Sequence, residues 1–252
     1  MLLGEPRNQS AANRQFHTEQ EKYWHDSPGS VAAKLQNFTK YARREDLTKF
    51  LARNDVFRKQ LHVHGSVVDI GVARGASLTT WAHLSAIYEP SNYTRKIIGF
   101  DTFAGIPQLV DHERGTAGVS EQLRPGGFAV EEGMADDILR AARMHDITRH
   151  LGHMPKVELV VGDIETTLAA YVDANPHLVV SLLHLDADTY GATRCALDVL
   201  VPRMPRGAIV VFDELGSELF PGETIAWIEY HHSMKIRRLS YAPALSYAVL
   251  DK

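Results

Sequence analysis

Residues 67–77 read Val-Val-Asp-Ile-Gly-Val-Ala-Arg-Gly-Ala-Ser, and the rest of the chain is read outward from them. Val67, Val68 and Ile70 form a short apolar, β-branched run, the pattern of a buried strand. Gly71 ends the run and Gly75 follows four residues later. Ser77 then opens a segment whose apolar residues (Leu78, Trp81, Ala82, Leu84, Ile87) recur at helical spacing. A strand, a glycine-bearing turn and a helix N-terminus in that order suit a nucleotide-like ligand. Glycine lets the backbone approach closely, and the helix start offers unpaired N–H groups. The dinucleotide fingerprint is not met, because Ala73 stands where its second glycine would be. An ordinary strand-to-helix turn would use the same glycines, so the remaining chain has to decide.

Four more apolar runs follow with helical segments between them. They cover 96–100, 157–161, 178–185 and 207–212, and they end at Asp101, Gly162-Asp163, Asp186-Ala187-Asp188 and Asp213-Glu214. Two late strands, 235–240 and 246–251, read as a closing hairpin. This alternation predicts an α/β fold, a doubly wound and mostly parallel sheet. Such sheets bind ligands outside the carboxyl ends of their strands. One acid at a strand end is commonplace helix capping. Four acids from four strands fall on a single rim, and Asp101, ending the second strand, suits ribose hydroxyls.

Residues 1–30 are polar and broken at Ser27-Pro28-Gly29, and they read as a loosely ordered arm. Helical spacing over 31–61 is interrupted at Arg43-Arg44-Glu45-Asp46, a bend or solvated face. The expected organisation is an N-terminal arm with helices over 1–62 and a ligand-binding domain over 63–252. Residues 104–150 are too long for an ordinary connection and read as a lid or acceptor-binding insertion, with a helix near 135–150. At 252 residues with 44% hydrophobic content, the chain can bury one substantial core. A net charge of −4 argues against nucleic acid as partner. No run of about 18 apolar residues suggests a membrane span. The lone cysteine, Cys195, excludes an internal disulfide and fits the cytoplasm. The apolar content of 31–61 exceeds what one side of the sheet requires and predicts a homo-oligomer.

Asp186, Asp188, Asp213 and Glu214 form a second constellation. Carboxylates at adjacent strand ends suit a hard divalent cation such as Mg²⁺. They would equally serve as helix caps and solvated loop charges. No paired histidine spacing lies near them, which argues against zinc. His184 shares the face of Asp186 and reads as a core histidine, and Cys195 also reads as core.

Taken together, these segments are similar to the macrocin O-methyltransferase family. The matching pieces are Asp69-Ile-Gly71-Val-Ala-Arg-Gly75-Ala-Ser77, Gly99-Phe-Asp101-Thr-Phe-Ala-Gly105-Ile-Pro107, His184-Leu-Asp186-Ala-Asp188-Thr-Tyr190, Val211-Phe-Asp213-Glu214 and Phe220-Pro-Gly222-Glu. The resemblance implies a seven-stranded class I methyltransferase sheet with S-adenosylmethionine lying over the first turn. It implies cofactor contacts at Asp69, Gly71, Ala73, Arg74, Ser77, Asp101 (on the ribose), Thr102, Phe103, Asp163 (near the adenine) and Asp186. It further implies Mg²⁺ on Asp186, Asp213 and Glu214, with Asp186 as general base, and a sugar hydroxyl on a glycoside or nucleotide sugar as acceptor. The family usually has glutamate in place of Asp69 and aspartate in place of Glu214. Competing readings are a catechol or other vicinal-diol acceptor, a nicotinamide oxidoreductase, and a non-catalytic nucleotide-sugar binder.

Overall fold

In a computed structural model, residues 10–110, 113, 120–230 and 234–251 are described. The chain divides into two compact units, residues 1–49 and 50–252.

The first unit holds α1 (Ala11–Asp26), α2 (Val31–Gln36), a 3₁₀ turn at Phe38–Lys40, and the start of α3 (Arg44–Lys59). The sequence reading of 1–30 as a loose arm is corrected here: 11–26 is helical. Ser10 caps it, accepting from the Asn13 amide, while the Asn13 side chain accepts from the Ser10 N–H. No residue of α1 is buried, so no apolar stripe announced it. What holds the unit together centres on Tyr41, the one buried aromatic there. It stacks on Tyr23, meets Trp24 edge-on and hydrogen-bonds Ser27 through its hydroxyl at 2.9 Å. The expected break at 43–46 lies at the start of α3, where Arg43 pairs with Asp46.

The second unit is built on seven strands: β1 (Ser66–Ile70), β2 (Ile97–Asp101), β3 (Val157–Val161), β4 (Val180–Leu185), β5 (Ile209–Phe212), β6 (Ile236–Leu239) and β7 (Ala242–Val249). Their order is β3-β2-β1-β4-β5-β7-β6, parallel except for β7, which pairs antiparallel with both neighbours. Helices α4 (Ala76–Tyr88), α5 (Met134–Asp146), α6 (Ile164–Ala174), α7 (Tyr190–Leu200) and α8 (Pro221–Tyr230) complete it. No helix among the described residues is long and apolar enough to cross a membrane.

Strand alternation divides the core in two. Val68, Ile70, Ile98, Phe100, Leu183 and Val210 face one layer, packed with Leu168, Leu197 and Trp227 of α6, α7 and α8. Val67, Ile97, Leu182, Ile209 and Val211 face the other, packed with Val56, Phe57, Leu78 and Trp81 of α3 and α4. The C-terminal half of α3, which the sequence grouped with the arm, therefore belongs to the core of the second unit.

Polar residues that follow the same alternation are sent into the second layer. Asp69 on β1 pairs in register with His184 on β4, and both are completely buried there, beneath α3 and α4. The strand order reverses direction between β1 and β4, so their carboxyl ends flank the crevice where a doubly wound sheet binds its ligand.

Candidate active site

Two turns meet at that crevice. Gly71 follows β1 with φ +85°, a conformation L side chains rarely adopt. A Cβ built on it would lie 2.5 Å from the Asp186 carbonyl carbon and nearer still to its oxygen. The Asp186 amide also donates to the Ile70 carbonyl at 2.9 Å. The turn that ends β1 and the acid that ends β4 are thus in backbone contact. Gly75 is the N-cap of α4 and supplies no side-chain cap, so the first turn of that helix has N–H groups that no cap side chain takes up.

The sequence-predicted cofactor residues are positioned by a local network. Asp101 accepts from the Ala73 amide at 2.7 Å and from the Phe103 amide at 2.6 Å, tying the ends of β1 and β2 together. Ala73 and Phe103 both adopt positive φ, at 47° and 56°, conformations that cost energy and concentrate at ligand sites. Each Asp101 oxygen keeps a lone pair for a further donor. Thr102 donates to the Gly105 carbonyl at 2.6 Å. Arg74 forks onto Glu131 of the insertion with two contacts of 2.8 Å. Asp163 stands at the N-cap of α6, accepting from Glu165 at 3.0 Å. Ser77 turns inward and donates to Asp69 at 2.7 Å.

At the metal-suited acids, a ring nitrogen of His184 and carboxylate oxygens of Asp186 and Asp213 lie within 4.8 Å of one another. Two ligands across a divalent cation are separated by about that span, given metal–ligand distances of about 2.0–2.4 Å. Glu214 is not in this group. Its amide donates to Glu223 at 3.1 Å. Asp188 begins the turn into α7 with φ +60° and does not join the cluster either. Cys195 packs against α6, its Sγ 3.7 Å from the Ile164 carbonyl, and burial pushes its thiol up to about 11, in keeping with a core role.

Three residues that the sequence reading did not place in the site belong to its surroundings. Arg53, on α3 and 5% exposed, holds its guanidinium 4.0 Å from both Asp186 and Asp213. Glu223, 1% exposed, lies beside Asp213. Burial, and then the Asp213 charge, raises its carboxyl well above the usual range. Glu113, from the insertion and also buried, accepts from the Val110 amide at 3.1 Å and from the first amide of α7 at Tyr190. It fastens the insertion to the rim, beside the small Ile106–Leu109–Leu123–Phe220 cluster. Nothing in its sequence neighbourhood marked Arg53 as different from a solvated helix charge. Glu223 fell inside a quoted motif without a role.

A crystal structure of the calicheamicin methyltransferase CalS11 is 31% identical to this chain. The match covers 96% of this chain and 94% of that one, with a TM-score of 0.91. A second, apo structure of CalS11, described as a TDP-rhamnose 3′-O-methyltransferase of calicheamicin biosynthesis, is 28% identical, covers 96% of both chains and has a TM-score of 0.82. The O-methyltransferase NovP shares the fold at 20% identity over 81% of this chain and 80% of its own, with a TM-score of 0.62. Comparison with curated protein sequences gave no match. The model of the macrocin O-methyltransferase family matches residues 4–239. With its seven-stranded sheet and the crevice between β1 and β4, this chain belongs to the macrocin O-methyltransferase family and is an O-methyltransferase.

Proposed function

We propose that the protein transfers a methyl group from S-adenosylmethionine to a sugar hydroxyl, on a nucleotide-linked deoxysugar or on a sugar already attached to a natural product, in antibiotic biosynthesis. The observation that carries this reading is the contact of the Gly71 turn with Asp186. It sets the turn suited to the methyl donor directly against the acid suited to the acceptor's proton. The relatives point the same way: CalS11 is described as acting on TDP-rhamnose.

The turn from Gly71 to Gly75, the start of α4, Asp101 and Asp163 would hold S-adenosylmethionine, with Thr102 and Phe103 beside it. Asp186 and Asp213, with Glu214 at hand, would hold a divalent cation such as Mg²⁺. When bound, the first supplies an electrophilic methyl group, and the second supplies positive charge next to the accepting oxygen. Asp186 receives the proton of the attacking hydroxyl as general base. Arg53 keeps the Asp186 and Asp213 carboxylates compatible by placing a positive charge beside both. The insertion over 104–150 would close over the acceptor and exclude water, fastened by Glu113 and by the Arg74–Glu131 fork. Alignment of the acceptor oxygen with the methyl group supplies much of the rate. The enzyme would work in the cytoplasm as an oligomer, at least a dimer, with the N-terminal region contributing to the contact through exposed apolar side chains such as Val31, Leu35 and Phe38.

The test is methyl transfer from S-adenosylmethionine to a panel of nucleotide deoxysugars and glycosides, read by mass spectrometry, beside calorimetry with S-adenosylhomocysteine. Micromolar binding and a methylated sugar support the reading. Failure to bind either form of the cofactor would overturn it.

A further inference from the structure

His184 is completely buried, yet one of its two ring nitrogens has nothing to do. Its Nδ1 lies 2.5 Å from Asp69 Oδ1, and Asp69 Oδ2 accepts from the Ser77 hydroxyl. An ionised carboxylate offers only acceptors, so Nδ1 must carry the proton and donate it. The lone pair is then left on Nε2, which has no hydrogen-bond partner among the described residues. The Trp81 indole, edge-on with its ring centre 5.5 Å from the imidazole, does not donate to it. An acceptor left unmet at this depth is destabilising, because it has given up water for nothing. Only a donor or a cation would satisfy it; a ring nitrogen of His184 lies within 4.8 Å of carboxylate oxygens of Asp186 and Asp213, two acids that also have the Arg53 guanidinium 4.0 Å away.

We propose that His184 Nε2 is the third protein ligand of the cation held by Asp186 and Asp213, and that this nitrogen shifts the site's preference from Mg²⁺ toward first-row transition cations. The proposal rests on the divalent-cation reading above and deepens it. Imidazole is a poor partner for hard Mg²⁺ and a good one for Co²⁺, Ni²⁺ or Zn²⁺, whereas a set of carboxylates alone favours the hard ion. Asp69 and Ser77 complete the arrangement. A carboxylate that takes the proton of the far ring nitrogen fixes the tautomer and raises the basicity of the near one, as at histidine–metal sites generally. The buried chain Ser77–Asp69–His184 also ties β1 to β4 and to the start of α4.

The experiment is pulsed EPR of Mn²⁺ bound to the full-length protein, with calorimetric titration of Co²⁺ and Mg²⁺ into wild type and His184→Asn. The wild-type spectrum should carry the modulation of a directly coordinated imidazole ¹⁴N, and His184→Asn should lose it. The preference for Co²⁺ over Mg²⁺ should fall at least tenfold in the variant. Bound Mn²⁺ without nitrogen modulation overturns the proposal, and needs no variant to read. So does a Co²⁺/Mg²⁺ preference unchanged in a folded His184→Asn protein, and so does the binding of no divalent cation by the wild type. Calorimetry of S-adenosylhomocysteine on the same samples separates the two levels. A protein that binds the cofactor and methylates its acceptor while failing these tests keeps the proposed function and loses only the His184 ligand.

Discussion

Replacing Gly71 with alanine tests the junction on which the site depends. Two costs arise. The first is conformational: φ is +85°, where an L residue loses about 1–2 kcal/mol. The second is steric. The new Cβ would stand 2.5 Å from the Asp186 carbonyl carbon, well under the 3.0 Å that real Cβ contacts keep. Its neighbours are backbone atoms, so relief requires the ends of β1 and β4 to separate, at an overpacking cost of about 1–3 kcal/mol. Together this is about 2–5 kcal/mol, or a drop of roughly 10 °C in melting temperature for a domain of this size. Gly126→Ala is the matched control, since it has φ +75° and nothing within 4 Å of its Cβ. It should show the conformational cost alone. The assay is scanning fluorimetry on both variants with methyl-transfer rates measured beside it. Gly71→Ala should melt clearly below Gly126→Ala and lose most activity, because Asp186 moves with its backbone. A Gly71→Ala protein that melts with the control and turns over normally would refute the argument.

The remaining predictions concern charge and assembly. Arg53→Met leaves the acid pair without its buried counter-charge, so the apo protein should lose about 3 kcal/mol and added Mg²⁺ should restore more of its stability than it adds to wild type; an unchanged melting temperature, or an equal Mg²⁺ response, contradicts this. Burial lowers the Lys156 ammonium from its ordinary 10.5 to about 8. The unfolded chain therefore holds the extra proton between about pH 8 and 10.5, and the penalty, complete below pH 8, is relieved as pH rises through that window. Urea midpoints of wild type relative to Lys156→Met should climb from pH 8 to 10, and a flat difference would count against it. Light scattering should give a particle of at least twice 28.1 kDa, and a monomer at working concentration would remove the assembly proposal.

How much was legible follows from where each side chain spends its interactions. Strands buried on both faces, such as 180–185, announce themselves as continuous apolar runs, so their number and order of appearance were readable. The acids at their ends were readable for the same reason, since alternation must stop where the strand stops. Helix α1 was not, because it buries nothing and leaves only its Ser10–Asn13 cap as a signal. Arg53 and Glu223 were not, because their significance is tertiary. Each is an ordinary helical charge until the fold sets it against Asp213. His184 was visible but looked like core. It is core, and its unmet nitrogen appears only once Asp69 is placed across the strand pair.

The central claim is that Asp186 is the proton acceptor of a methyl transfer, standing beside the cofactor turn without anchoring it. Asp186→Asn tests this most directly when melting temperature, S-adenosylhomocysteine affinity and methyl-transfer rate are measured on one preparation. The account predicts a folded protein with cofactor affinity largely kept and a rate lower on the order of a hundredfold or more. A stable variant that binds cofactor and turns over at the wild-type rate would contradict it.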